Sequence, residues 1–187
     1  ALKKITNNKI KSIDIMEIIT NDSKEYSINI VGWGMISDIN ILAEKLRFIG
    51  SVRYTIASLY YIFNKKIRSA KIIIDGKQDS QTQYLFSLVT NTIHTGKGMK
   101  VAPHAKMDDG LLDIITLDAK ISKKDLLHLF PKIFSGEHIN SKYIRYIQAK
   151  EVIIIPEKKE LLNIDGENRC YSPMTVKILP KQCNIFG

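Results

Sequence analysis

Short isoleucine-rich runs with period-two alternation recur along this chain, each stopped by a turn dipeptide, and this punctuation limits the fold more than any other feature. Ser12–Thr20 and Glu25–Val31 flank Asn21-Asp22, and Ala70–Ile74 and Gln81–Thr90 flank Asp75-Gly76, so both pairs read as hairpins. Further strands are expected at Leu111–Leu117, Lys142–Gln148, Glu151–Pro156, Glu160–Ile164 and Pro173–Leu179. Helical patterning is confined to Ser37–Phe48 and Ser51–Phe63, joined at Gly50, and to a segment from Ser122 to about Phe134. Ser122 and Asp125 there form a capping-box pattern. Leu2 and Ile5 read as a helix ending at Thr6-Asn7-Asn8, and Asn91–Met107 reads as a long irregular loop. Strands in hairpin order with about three helices predict an α+β, β-rich domain built as an antiparallel β-sandwich.

The chain of 187 residues suits one domain, or one lobe of a larger protein, with a sizeable core. No apolar run approaches the roughly 20 residues of a membrane helix, and the first residues lack a signal-peptide core. Cys170 and Cys183 are too few for a disulfide framework, so a reducing cytoplasmic setting is expected. The net charge of +9 calls for an anionic partner. Its lysines are dispersed rather than gathered into an arginine stripe with interleaved aromatics, which argues against nucleic acid and leaves peripheral contact with an anionic membrane.

Gly32–Tyr54 is the densest motif. Glu44 and Arg47, three apart on a helix, share a face. Gly50 interrupts the helix, which lets Arg53 swing toward Arg47, and two converging guanidiniums suit a polyphosphate. On spacing alone, solvated helix charges are the commoner fate of such residues. Asp75-Gly76, Asp109-Gly110 and Asp165-Gly166 are all candidate type I′ turns. Asp165-Gly166-Glu167 also sets two carboxylates around a turn, where they could hold a metal or take a proton. The four histidines are scattered without metal-ligand spacing. Tyr54, Tyr60, Tyr61 and Phe63 make an aromatic face on the second helix, for which core packing is the ordinary explanation.

Trp33, Gly34, Ile36, Asp38, Glu44, Lys45, Arg47, Gly50, Arg53 and Tyr54 resemble the lipid-kinase superfamily of diacylglycerol, ceramide and sphingosine kinases, closest to the sphingosine kinase pattern. The resemblance implies the C-terminal, lipid-binding lobe of a two-lobe kinase, with ATP and Mg2+ as cofactors and a lipid as substrate. The glycine-rich nucleotide loop and catalytic aspartate of the superfamily are absent from this sequence, so the N-terminal lobe is expected to precede Ala1, and the 187-residue chain alone is expected to be inactive. By the same resemblance, Arg47 and Arg53 reach the nucleotide phosphates. Asp165, Gly166 and Glu167 face the nucleotide, Glu167 as proton acceptor or magnesium-orienting group with Asp165 assisting. Asp109, with the carbonyls of Lys106 and Leu111, matches a structural magnesium site. Asp38 and Asn40 fall where the lipid headgroup is bound. Asn40 replaces an aspartate of animal sphingosine kinases, and an amide cannot pair with the ammonium of a sphingoid base as a carboxylate does. The favoured substrate is nonetheless a sphingoid base, with diacylglycerol or ceramide as the alternative. Readings from other classes are a non-catalytic basic β-domain that binds anionic membrane or acidic protein, and a nucleotide kinase of related two-lobe design.

Overall fold

The computed structural model describes residues 10–96 and 98–186. The helix end expected at Leu2–Asn8 lies outside them. In chain order the strands are β1 (Ile10–Thr20), β2 (Lys24–Ser27), β3 (Ile30–Gly34), β4 (Arg68–Ile74), β5 (Lys77–Gln78), β6 (Gln83–Thr90), β7 (Leu112–Asp118), β8 (Ile144–Ala149), β9 (Glu151–Pro156), β10 (Leu161–Ile164), β11 (Glu167–Tyr171) and β12 (Met174–Phe186). Helices α1 (Met35–Lys45) and α2 (Arg53–Phe63) flank a 3-10 turn at Arg47–Val52. Helices α3 (Lys123–Leu129) and the one-turn α4 (Lys132–Ser135) follow β7.

All pairings between strands are antiparallel, and they form two curled layers. One layer runs β2-β1-β12-β9-β4-β5 and the other β11-β10-β3-β6-β7-β8. Strand β4 turns the corner by pairing with β9 along most of its length and with β6 at Arg68 and Ser69. Alternation places Ile72, Val152, Ile154, Met174 and Val176 of the first layer against Val31, Trp33, Tyr84, Leu112 and Ile114 of the second, all fully or almost fully buried. The opposite face of the second layer is apolar too. Leu85, Leu88, Ile115 and Leu117 there are covered by Met35 of α1, Ile62 of α2 and Leu126 of α3. The β-rich sandwich with three principal helices is therefore as expected.

Several boundaries differ for identifiable reasons. The run Glu25–Val31 is not one strand: it breaks at Ile28-Asn29, and β2 stays in the first layer while β3 enters the second. Asp75-Gly76 is a tight turn with both residues at positive φ, but it pairs β4 with the two-residue β5, and β6 comes later. The helix opened by Ser122, whose Oγ accepts the Asp125 amide at 3.0 Å, stops at Leu129 because Pro131 has no N–H to continue it. Strand β11 is too polar to announce itself. Strand β12 continues past Pro180 to Phe186 along β1.

Candidate functional site

Strand β3 delivers the chain to α1 through Gly34, whose φ of 83° and ψ of −130° suit glycine alone, and where an added Cβ would meet the Leu85 carbonyl oxygen at 2.7 Å. Helix α1 then crosses the second layer, and the chain kinks at Gly50 (φ 66°, ψ −142°) before α2 starts at Arg53. This bend brings the two arginines to one place, as expected, and the group they share is Glu44. Arg47 Nε lies 2.6 Å from one carboxylate oxygen and Arg53 Nη2 lies 3.2 Å from the other. Arg53 also lies over the Tyr54 ring, 4.9 Å from its centroid. Arg47 is open to solvent and Arg53 is mostly covered.

Between these helices, the outer face of β6 and β7, and α3–α4 is a cavity of about 840 Å³. Its walls are almost wholly apolar, with Ile36, Ile39, Leu88, Met99, Leu129 and Ile133 among them. The lining also carries polar groups, among them Arg53, Asn40, Asn163, Asp165 and Gly166. That combination suits a long apolar ligand with a polar group. Sequence reasoning singled out Arg53, Asn40, Asp165 and Gly166 and, of the six apolar wall residues, only Ile36, as a motif position and not as part of a cavity. The six come from separate elements whose amphipathicity resembles that of any core helix or strand.

The remaining site residues have other attachments. Asn40 Nδ2 donates to the Gly166 carbonyl at 2.7 Å, which ties α1 to the β10–β11 turn. Asp165, at positive φ in that turn, is a tether as well. Its carboxylate accepts Ser27 Oγ at 2.7 Å and the amides of Ile28, Asn29 and Ile30 at 3.2, 3.1 and 2.9 Å, so it holds the segment where the chain passes between layers. The expectation that Asp165 reaches out beside Glu167 is corrected accordingly. Glu167 lies on the exposed edge strand β11, outside the cavity lining, and pairs with Arg169 (Nε–Oε2 2.8 Å). The hydrogen bond that Arg169 donates to the Glu167 carboxylate raises the Arg169 pKa above its ordinary value. Asp38 also lies outside the cavity lining. It pairs with the buried Arg68 at 2.5 Å, and Arg68 Nε is 2.8 Å from Glu160, so Asp38 anchors α1 to β4 and β10 rather than facing a headgroup.

Asp109 lies on the loop before β7, away from the cavity lining. It is not part of a type I′ turn, because Gly110 has a positive φ but Asp109 does not; Asp109 Oδ1 accepts the Leu111 amide at 3.1 Å, and the Gly110 amide donates to buried Asp14 at 2.7 Å. Among the described residues no three His, Cys, Asp or Glu side chains gather in metal-holding geometry. A cation here would rest on the other Asp109 oxygen and on main-chain carbonyls. That is an all-oxygen donor set and fits a hard divalent ion.

The family model for the YegS C-terminal NAD kinase beta sandwich-like domain matches residues 29–187. The chain belongs to that family. The YegS-type assignment agrees with the resemblance to the C-terminal lobe of the diacylglycerol and sphingosine kinases. A diacylglycerol kinase of Bacillus subtilis (strain 168) is 28% identical over 165 residues, covering 87% of this chain and 52% of that protein. Sphingosine kinase 2 of Arabidopsis thaliana is 27% identical over 203 residues, covering 84% and 42%. A crystal structure of a putative diacylglycerol kinase from Bacillus anthracis str. Sterne superposes with a TM-score of 0.76 at 23% identity, over 98% of this chain and 60% of that one, and so shares the fold. The chain spans about half the length of the curated relatives it matches.

Proposed function

We propose that this chain is the lipid-binding lobe of an ATP-dependent lipid kinase. The observation that carries the reading is the large apolar cavity with Arg53 and Asn40 on its lining and Arg47 close by, sharing Glu44 with Arg53. The reaction is an in-line displacement: the lipid hydroxyl oxygen bonds to the γ-phosphorus, the bond to the bridging β–γ oxygen breaks, and ADP leaves. The hydroxyl proton passes to Glu167, which first has to part from Arg169. Arg47 and Arg53 neutralise phosphate oxygens, exchanging Glu44 for the nucleotide. Mg2+, when bound, supplies further charge neutralisation at the phosphates, and a second ion on Asp109 with the Lys106 and Leu111 carbonyls would fasten that loop.

The substrate is a long-chain lipid alcohol. The Gly32–Tyr54 spacing supports a sphingoid base. Asn40 supports a neutral glycerol headgroup, because an amide already held by the Gly166 carbonyl offers an ammonium no charge. Relatives named for both substrates match this chain. The nucleotide-cradling elements belong to a further lobe, and the 187-residue chain by itself carries no turnover.

The test is phosphate transfer from radiolabelled ATP by the full-length protein, with sphingosine, ceramide and diacylglycerol offered side by side. One lipid becomes labelled, and Glu167→Gln and Arg53→Ala each reduce the rate by about a hundredfold or more. A folded, ATP-binding protein that labels none of them would exclude the reading and favour a binding module or a nucleotide kinase.

A further inference from the structure

Two side chains on the lining of the apolar cavity hold a buried polar atom that has no hydrogen-bond partner among the described residues. They are Asn40, 6% exposed, and His138, 4% exposed. Asn40 gives its Nδ2 to the Gly166 carbonyl, so the atom left over is Oδ1, an acceptor. In His138 the atom left over is Nδ1. Its Nε2 lies 3.1 Å from the Val101 carbonyl oxygen, which can only accept, so the single proton of a neutral imidazole sits on Nε2. Burial favours that neutral ring, and Nδ1 is then a bare lone pair. The Lys132 carbonyl, the other main-chain oxygen facing the ring, is itself an acceptor and cannot serve a bare nitrogen.

Buried polar atoms are normally paired, so an open acceptor in a cavity wall calls for a donor from outside the protein. The elements next to His138 contribute only apolar side chains to the lining, with Leu129, Phe130 and Ile133 before it and Ile144 after it. Two successive turns, Ser141 N to His138 O at 3.1 Å and Ile144 N to Ser141 O at 2.9 Å, lead from His138 straight into β8. Asn40 is held at the other side, on the β10–β11 turn. Between them run β3, β6 and β7, which supply Ile30, Leu88 and Ile115 to the lining. With neighbouring strands about 4.8 Å apart, the two open acceptors stand roughly 15 Å from each other across the sheet. A ligand that reaches both is a long chain with a donor near each end.

We infer that His138 Nδ1 accepts a hydroxyl carried far along the lipid chain, so that the cavity selects a lipid hydroxylated at two places, one beside Asn40 and one beside His138. This deepens the lipid-kinase reading and rests on it for the hydroxyl beside Asn40. A methylene chain or an ester carbonyl has no proton to give and would leave Nδ1 unpaired.

The test uses the full-length protein and two probes of one chain length, 1-dodecanol and 1,12-dodecanediol, each displacing a fluorescent apolar dye from the cavity. The extended diol spaces its hydroxyls much as the two acceptors are spaced. The unsubstituted protein binds the diol about tenfold or more tighter than the monoalcohol. His138→Leu reverses that order, because the second hydroxyl is then buried without a partner. His138→Gln, which keeps a donor for Val101 and offers an amide oxygen, restores part of the preference. In the unsubstituted protein the nitrogen NMR resonance of His138 Nδ1 moves on adding the diol and not on adding the monoalcohol, a readout that needs no variant to fold. A diol preference that survives in His138→Leu overturns the inference, as does an Nδ1 resonance indifferent to the diol. Equal displacement by the two probes also overturns it, and would mean that water serves the ring. If the diol preference depends on His138 while no lipid is labelled from ATP, the subsite stands and only the kinase reading fails.

Discussion

The second sheet layer is apolar on both faces, and the two faces are packed in opposite ways. Toward the first layer, Val31, Trp33, Leu112 and Ile114 meet strands that repeat the same alternation, and the interior closes. Toward the helices, Leu85, Leu88, Ile115 and Leu117 meet short helices set off by the Gly50 kink and Pro131, and a cavity of about 840 Å³ remains. Strands of one sheet twist together and fill the space between layers, whereas four short helices cannot follow a curled sheet along its whole length. Stability is therefore concentrated on one side of β6 and β7 and ligand capacity on the other.

The sharpest way to break this comparison is to remove the same atoms from both sides. Ile72→Ala opens a new void in the filled interior and should cost about 3 kcal/mol. Ile133→Ala only widens an existing space and should cost about 1 kcal/mol or less. Urea unfolding of the two variants measures the difference. Equal losses would mean that the helical side closes in solution and that the cavity is not a standing feature.

A smaller effect is expected at the tether between layers. Asp165→Asn replaces one carboxylate oxygen by a donor that then faces amides and a hydroxyl, and should cost about 1–2 kcal/mol, limited by solvent access to the turn. Glu167→Gln, two residues away on an exposed edge, should leave the denaturation midpoint in place. A stability loss at Glu167 matching that at Asp165 would contradict the division of the Asp-Gly-Glu triplet into a tether and an exposed carboxylate paired only with Arg169.

Much of the filled side was legible in the sequence because period-two alternation is local. The Asp75-Gly76 turn and the strands Leu111–Leu117 and Glu151–Pro156 follow from residues within a few positions of one another. The break at Ile28-Asn29 was not legible: the alternation runs through it, and what holds it is a carboxylate 135 residues away from Ile30. The arginine pair was half legible. The Glu44–Arg47 contact follows from helix spacing, and Gly50 suggested convergence, but only the fold shows Arg53 returning to Glu44. The assignment of Asp38 to Arg68 and Glu160 needed β4 and β10 in place. The cavity had no signature, since an amphipathic helix looks the same whether its apolar face meets a filled core or a space.

The weakest effect concerns a polar group on the unfilled side. His138, in the 3-10 turn after α4, is buried, and one ring nitrogen lies 3.1 Å from the Val101 carbonyl oxygen. Burial pushes its pKa below 6.5, and the carbonyls of Val101 and Lys132 only partly offset that. The folded protein therefore resists a proton that the unfolded chain accepts. His138 contributes no penalty above pH 6.5. As pH falls from 6.5 toward the folded pKa, the unfolded state gains protons first and stability declines, with a limiting slope of about 1.4 kcal/mol per pH unit for one proton. Denaturant unfolding between pH 7.5 and 5.5 should show this decline, and His138→Gln, which retains an amide donor for Val101, should flatten it. If the slope survives in His138→Gln, another group carries the titration, and the buried imidazole is then not what makes the cavity side of the sheet acid-sensitive.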